Sequence, residues 1–169
     1  MKWAKLTILF LLLLTLGNCK GQNLAQQSVP TDTIIMLERS ICSGSCPDYK
    51  LTVTADGAVT FEGYKFVKVT GNATKTISQG QLLQLIAEFE KAKYFSLNDR
   101  YRDKEDGCPA VWTDYSTVIT SIRINGKSKT ISHYDGCQEG SGSAVFPKAL
   151  TDLEKKIDEI VGTAEWIKP

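Results

Sequence analysis

Asn125-Gly126 stands between two runs that alternate apolar and polar side chains, residues 116–124 and 127–134. A two-residue turn of this composition accepts positive φ at both positions and matches the twist of antiparallel strands. It commits this stretch to a β-hairpin and sets its register: Ile124 opposite Lys127, Thr120 opposite Ile131, Val118 opposite His133. A slip of one residue would send every side chain to the other face. One dipeptide therefore decides which residues of the hairpin are buried.

A second hairpin follows the same logic. Tyr49, Leu51 and Val53 alternate with polar residues, and Val59 and Phe61 resume the alternation after Ala55-Asp56-Gly57. A two-residue turn would put the apolar residues on opposite faces. A three-residue loop, 55–57, pairs Val53 with Val59 and Leu51 with Phe61, with Gly57 in the left-handed position. Residues 33–38 are β-prone and read as the first strand. Residues 66–69 and 75–77 are expected to form a further pair turning at Gly71-Asn72.

Two helices complete the pattern. Ser78 and Gln81 make a capping box, and Leu82, Leu85, Ile86 and Phe89 recur at helical spacing. This helix is expected to reach about Lys93, with Phe95 closing its stripe. Pro147 opens a last helix, Leu150, Leu153, Ile157 and Ile160 form its stripe, and Gly162 ends it. The fold class that follows is α+β: an antiparallel β-sheet with two helices packed on one face.

The N-terminus is an address. Lys2 and Lys5 precede an apolar run, 6–16, in the manner of an export signal. The run is far shorter than the roughly 20 residues a spanning helix needs. Cys19, in Leu16-Gly17-Asn18-Cys19, resembles the lipobox cysteine of bacterial lipoproteins, which carries a diacylglyceryl group and becomes the first mature residue. The alternative is an ordinary cleaved signal peptide. The reading divides the chain into a signal peptide (1–18), lipidated Cys19 with a flexible polar tether (19–32), and a single α+β domain (33–167). It places the protein at the bacterial cell envelope, periplasmic or surface-facing, with the lipid on Cys19 as its membrane contact.

Without residues 1–18 the chain keeps 18 basic and 19 acidic side chains. A net charge near −1 argues against nucleic acid as a partner, since that demands a basic face. Cys42, Cys46, Cys108 and Cys137 are an even number in an oxidising compartment and read as disulfides. The hairpin register carries Cys137 across from Asp114, within a short return of Cys108. This favours Cys42–Cys46 and Cys108–Cys137, with the crossed pairings left open. A four-thiolate zinc site would show two close pairs, and only Cys42 and Cys46 are close in sequence, so no metal and no cofactor is expected.

His133 is the sole histidine. Its register puts it on the face shared by Val118 and Ile131, as a strand histidine packed under a helix or at its edge. No nucleophile elbow, zinc-protease helix or phosphate-binding glycine loop occurs, so no catalytic residue is assigned. The loop 96–114 interleaves Asp99, Asp103, Glu105 and Asp106 with Arg100, Arg102 and Lys104, a solvated charged face. Tyr101, Trp112 and Tyr115 make it a candidate interaction loop, because aromatics of this kind anchor interfaces.

The segment Cys42-Ser43-Gly44-Ser45-Cys46-Pro47-Asp48-Tyr49, followed by Asp56-Gly57, resembles an uncharacterised bacterial family of exported proteins and lipoproteins, known only as a domain of unknown function. Phe66-Val67-Lys68-Val69, Phe95-Ser96-Leu97 and Ser132-His133-Tyr134 are similar too. The resemblance brings no activity, cofactor or partner. The expectation is a lipid-anchored envelope protein whose domain is a non-catalytic binding or assembly module for an unknown envelope protein or ligand. The alternatives are a hydrolase-type enzyme using His133 with a carboxylate from the 99–114 loop, or an inhibitor of a secreted enzyme presenting loop 96–114.

Overall fold

The computed structural model describes residues 28–108, 110–138 and 147–167. Cys19 and the leader lie outside them. The strands are β1 (Ile34–Arg39), β2 (Asp48–Thr54), β3 (Ala58–Lys65), β4 (Gly71–Thr76), β5 (Arg100–Tyr101), β6 (Ala110–Val111), β7 (Thr117–Ile124), β8 (Lys127–Tyr134) and β9 (Cys137–Gln138). The helices are α1 (Gln79–Lys91), α2 (Lys148–Val161) and α3 (Ala164–Ile167), with a 3-10 turn at Tyr94–Ser96. Seven strands form one sheet in the order β4-β3-β2-β1-β7-β8-β5, and β6 pairs with β9 separately. All pairs are antiparallel except β5 with β8.

Alternation builds the core. Ile35 and Leu37, Leu51 and Val53, Val59 and Phe61, Val118 and Ile122 are buried, while their sequence neighbours are mostly half-buried or exposed. Against that face pack Leu82, Leu85, Ile86 and Phe89 of α1 and Leu150, Leu153, Ile157 and Val161 of α2. The fold class is α+β as expected, with both long helices on one side of the sheet. Trp166 of α3 adds to this layer: its ring lies 4.8 Å from that of Phe61, under the ammonium of Lys75 at 4.7 Å.

Both hairpin registers agree with the sequence reading. Val53 faces Val59 and Leu51 faces Phe61, with Gly57 at φ 82°. Ile124 faces Lys127, Thr120 faces Ile131 and Val118 faces His133. The Ser78/Gln81 capping box is present and Gly162, at φ 75°, caps α2.

The third strand pair differs. β3 runs on to Lys65, Phe66 turns the chain at φ 54°, and the partner strand is Gly71–Thr76, with Gly63 opposite Gly71. Gly63 explains the shift. A Cβ there would collide with the carbonyl of Val69 and the rings and methyls of Phe61 and Val67, so only glycine lets residues 66–69 fold back over the strand. Phe95 does not close the α1 stripe. It is exposed, and Tyr94 takes the buried place, donating its hydroxyl to the Thr120 carbonyl at 2.7 Å.

The tether joins the domain before Thr33. Val29 packs on the core, and the Asp32 carboxylate accepts the amides of Asn125 and Gly126 at 3.0 and 2.7 Å. Among the described residues no helix is long and apolar enough to cross a membrane.

Candidate functional site

β1 and β7 are antiparallel, with Ile34 opposite Arg123 and Arg39 opposite Val118. The sheet therefore has two ends. Asp32 and the Asn125-Gly126 turn mark one. The other gathers the end of β1, the loop 40–47, the start of β7 and the end of β8. Eight residues of β7 at about 3.3 Å each separate the ends by roughly 25 Å.

At the second end the inward row changes from apolar to polar. Arg39 follows Ile35 and Leu37 on the buried face of β1, and α2 answers with two acids one turn apart, Glu154 and Asp158. The guanidinium reaches Asp158 Oδ2 through Nε at 3.1 Å and Nη2 at 3.0 Å. Nε also meets the Tyr49 hydroxyl at 3.1 Å, and Nη2 meets the Glu154 carbonyl at 3.4 Å. Asp158 Oδ1 accepts the Tyr49 hydroxyl at 2.7 Å and that of Thr163 at 2.8 Å. Burial opposes the charge on Arg39, but Asp158, then Tyr49 and Glu154, more than offset it and hold the guanidinium above its usual range. Burial first, then the Asp158 charge, pushes the Tyr49 hydroxyl up and keeps it protonated.

Beside this cluster lies His133, 2% exposed. Its Nδ1 stands 3.0 and 3.2 Å from the two oxygens of Glu154, itself 1% exposed. Asp135 Oδ1 is 4.0 Å from the same nitrogen, and Asp135 Oδ2 accepts the Ser116 hydroxyl at 2.5 Å. Burial raises the Glu154 carboxyl above its ordinary range, with the imidazole hydrogen bond opposing. His133, Asp135 and Glu154 offer three ligand atoms within 4.8 Å of one another.

Two placements correct the sequence reading. The acids at His133 come from the β8–β9 turn and α2, not from loop 99–114. In that loop Asp99 pairs with Lys129 at 2.5 Å, Asp106 pairs with Arg100 at 2.6 Å, and Asp103 accepts the amides of Glu105 and Asp106. Tyr101 leaves the interaction loop: β5 pairs with β8 opposite His133, which buries the ring, and its hydroxyl accepts the Asn98 amide.

Trp112 and Tyr115 remain exposed, and they have company. Of the seven exposed large hydrophobic side chains among the described residues, six lie at this end: Ile41, Tyr64, Phe66, Val111, Trp112 and Tyr115. The seventh, Phe95, lines a cleft of about 570 Å³ with Ile86, Ile122 and Ile124 near the opposite end. The backbone under the band is pinned. Ser43 bonds Asp114 through its amide and hydroxyl, Trp112 N–H donates to the Gly136 carbonyl, and Tyr115 N–H donates to the Tyr134 hydroxyl. Cys42 with Cys46, and Cys108 with Cys137, are the two pairs at disulfide distance, with Cα separations of 5.5 and 5.4 Å. Cys137 faces Val111 rather than Asp114, because Gly136 turns the chain where a Cβ would strike the Trp112 carbonyl and the Tyr134 ring.

Arg39, Tyr49, Glu154 and Asp158 escaped the sequence reading as site residues. A signal existed for one of them: 150, 154, 157 and 161 repeat at helical spacing, so an acid at 154 sits inside the apolar stripe.

The fold and this end define a small α+β domain with a one-sided helical layer and two cysteine pairs framing an aromatic surface. The chain belongs to the DUF6438 family, a domain of unknown function, whose profile matches residues 33–161. No curated protein matches it.

Proposed function

We propose that this chain is a lipid-anchored envelope protein whose domain is a non-catalytic binding or assembly module, with the cysteine-framed end as its contact face. The observation that carries the reading is the polarity of the molecule. The segment leading back to Cys19 is tied to the Asn125-Gly126 end by Asp32, while six of seven exposed large hydrophobics crowd the end roughly 25 Å away. A domain held at one end and sticky at the other presents its surface away from the membrane. Exposed apolar groupings of this kind mark interaction sites on soluble surfaces, and Trp and Tyr are the side chains that carry most binding energy.

The chemistry supports a binding role over catalysis. His133 is closed off between the sheet and α2, so its imidazole does not touch a substrate in this conformation. The contact face is stiff, which keeps the entropy lost on association small.

Site-specific photocrosslinking in whole cells tests the reading. A photoreactive residue at position 112 is expected to give protein adducts that are absent when it stands at position 127, at the tethered end. Equal adducts from both positions, or none from 112, would sink it. Trp112→Ser with Tyr115→Ser should abolish the adducts formed from a probe at position 41.

A further inference from the structure

We propose that His133, Asp135 and Glu154 form a binding site for a divalent first-row metal ion, zinc or manganese in kind. The three ligands are one imidazole nitrogen and two carboxylates, a donor set such ions accept.

The distances fit. With metal–ligand bonds of about 2.1 Å, two donors at a right angle stand about 3.0 Å apart, and two donors about 145° apart stand about 4.0 Å apart. Nδ1 to Glu154 Oε2 is 3.0 Å and Nδ1 to Asp135 Oδ1 is 4.0 Å. Hydrogen bonding accounts for the first spacing as well. A second carboxylate, that of Asp135, approaches the same nitrogen at 4.0 Å, beyond hydrogen-bond reach.

An independent observation points to a cation. Among the described residues the Glu154 carboxylate meets a single donor, His133 Nδ1, shared by both oxygens. A carboxylate this deeply buried ordinarily has its remaining lone pairs satisfied or its charge paired. The nearest full cation, Arg39, spends its side-chain hydrogen bonds on Asp158, Tyr49 and the Glu154 carbonyl, not on the Glu154 carboxylate. Arg39 acts on the Glu154 carboxylate through its charge alone, without a hydrogen bond to it. A dication bound there supplies the partner that the other lone pairs of the Glu154 carboxylate lack.

The elements are placed for it. His133 and Asp135 are two apart at the end of β8, and Glu154 reaches them from α2. Ser116 holds Asp135 Oδ2 and so turns Oδ1 toward His133. The Asp135 side chain is 29% exposed, which gives the cluster its opening to solvent.

Calorimetric titration of the full chain with zinc chloride, under non-reducing conditions and in a Cys19→Ser background that removes the remaining thiol, tests the proposal. The expected result is one zinc per chain with micromolar or tighter affinity, weakened at least tenfold by Asp135→Asn, which can keep the Ser116 hydrogen bond. Glu154→Gln should weaken it further. Asp152→Asn, on the outer side of α2, should leave it unchanged. Cobalt in place of zinc should give a visible d–d band that Asp135→Asn removes. Millimolar binding only, or binding that Asp135→Asn leaves intact, overturns the site. Because Asp135→Asn changes a partly exposed turn residue, a folded variant is available even if Glu154→Gln fails to fold.

Discussion

Asp158→Ala is the sharpest test of how α2 is held to the sheet. The substitution removes both contacts of Arg39 to a carboxylate and the acceptor for Tyr49 and Thr163. Arg39 and Asp158 are each only 19% exposed in their side chains, so the guanidinium is left largely desolvated without its partner. Breaking a buried pair on one side costs about 3–5 kcal/mol. The lost hydrogen bonds to a charged acceptor would add about 1.5–3 kcal/mol each if independent. They share one carboxylate and are not independent, and partial exposure admits water to the stranded groups, so about 4 kcal/mol is the working figure. That is a large share of the roughly 5–15 kcal/mol that holds a domain of this size together. At about 3–4 °C per kcal/mol it lowers Tm by about 12–16 °C. Urea denaturation and thermal melts followed by circular dichroism read both quantities. The double variant Arg39→Met with Asp158→Leu removes both charges and should recover part of the loss, giving a coupling energy of about 2–3 kcal/mol, because apolar replacement of a whole buried pair is often near neutral. A loss under about 1 kcal/mol for Asp158→Ala, or a double variant equal to the sum of its singles, would refute the account of this cluster as a coupled buried network.

Other outcomes follow from the same structure. Replacing Cys108 and Cys137 by serine should cost about 3–4 kcal/mol by chain entropy alone, whereas the Cys42–Cys46 bridge closes a much shorter loop, with a sequence separation of 4, and its replacement should cost less; denaturant midpoints compare the two. Asp32 has its carboxyl lowered, chiefly by the Gly126 amide and also by that of Asn125. A depressed carboxylate contributes stability above its unfolded pKa of about 3.8 and loses it as pH falls through the lower folded value. Asp32→Asn should therefore flatten the acid limb of the stability curve below about pH 4; an unchanged limb would contradict this. Cys19→Ala should move the protein from the membrane fraction to the soluble one and end labelling by a fatty-acid probe. Labelling that persists would refute lipidation at Cys19.

The strands were legible where two local rules agreed. Around Asn125-Gly126 and Asp56-Gly57 the turn chemistry and the period of two both point to one register, and the observed pairs follow. The third pair departs from that rule because the chain reverses before Gly71-Asn72, not at it. The reversal is made by Phe66 at positive φ and by a glycine, Gly63, whose role depends on what folds over it. The polar cluster was illegible for a different reason. An acid on a helix is ordinarily solvated, and Arg39 at a strand end ordinarily is too. Only the joint placement of β1, β2 and α2 shows that Arg39, Tyr49 and Asp158 fall at one depth. Tyr101 erred the other way. An aromatic inside a charged loop looks exposed until a two-residue parallel strand carries it under the sheet's helical layer.

The position of that cluster bears on what the domain does. The inner face could have stayed apolar to its end, and an apolar row there would cost nothing in desolvation. Instead Arg39, Tyr49, His133, Glu154 and Asp158 occupy the last row before the aromatic band. Apolar packing fixes which face is buried but tolerates small slides of a helix along a sheet. Directional bonds from Arg39 and Tyr49 to one carboxylate do not, because a slide of an ångström breaks them. α2 is thus indexed to β1 and β2 at the one end where the surface presents Trp112, Tyr115 and Ile41. The loops bearing those side chains are tied to that end through Ser40 and Thr117, Ser116 and Asp135, and the two cysteine pairs. If the cluster serves to hold the surface in one arrangement, Tyr49→Phe should show it. That variant keeps the ring and loses the hydroxyl, so it should cost about 1.5–3 kcal/mol. It should also raise amide exchange in residues 111–117 while leaving the Asn125-Gly126 end as protected as before. Exchange that rises equally at both ends would mean the network contributes stability alone.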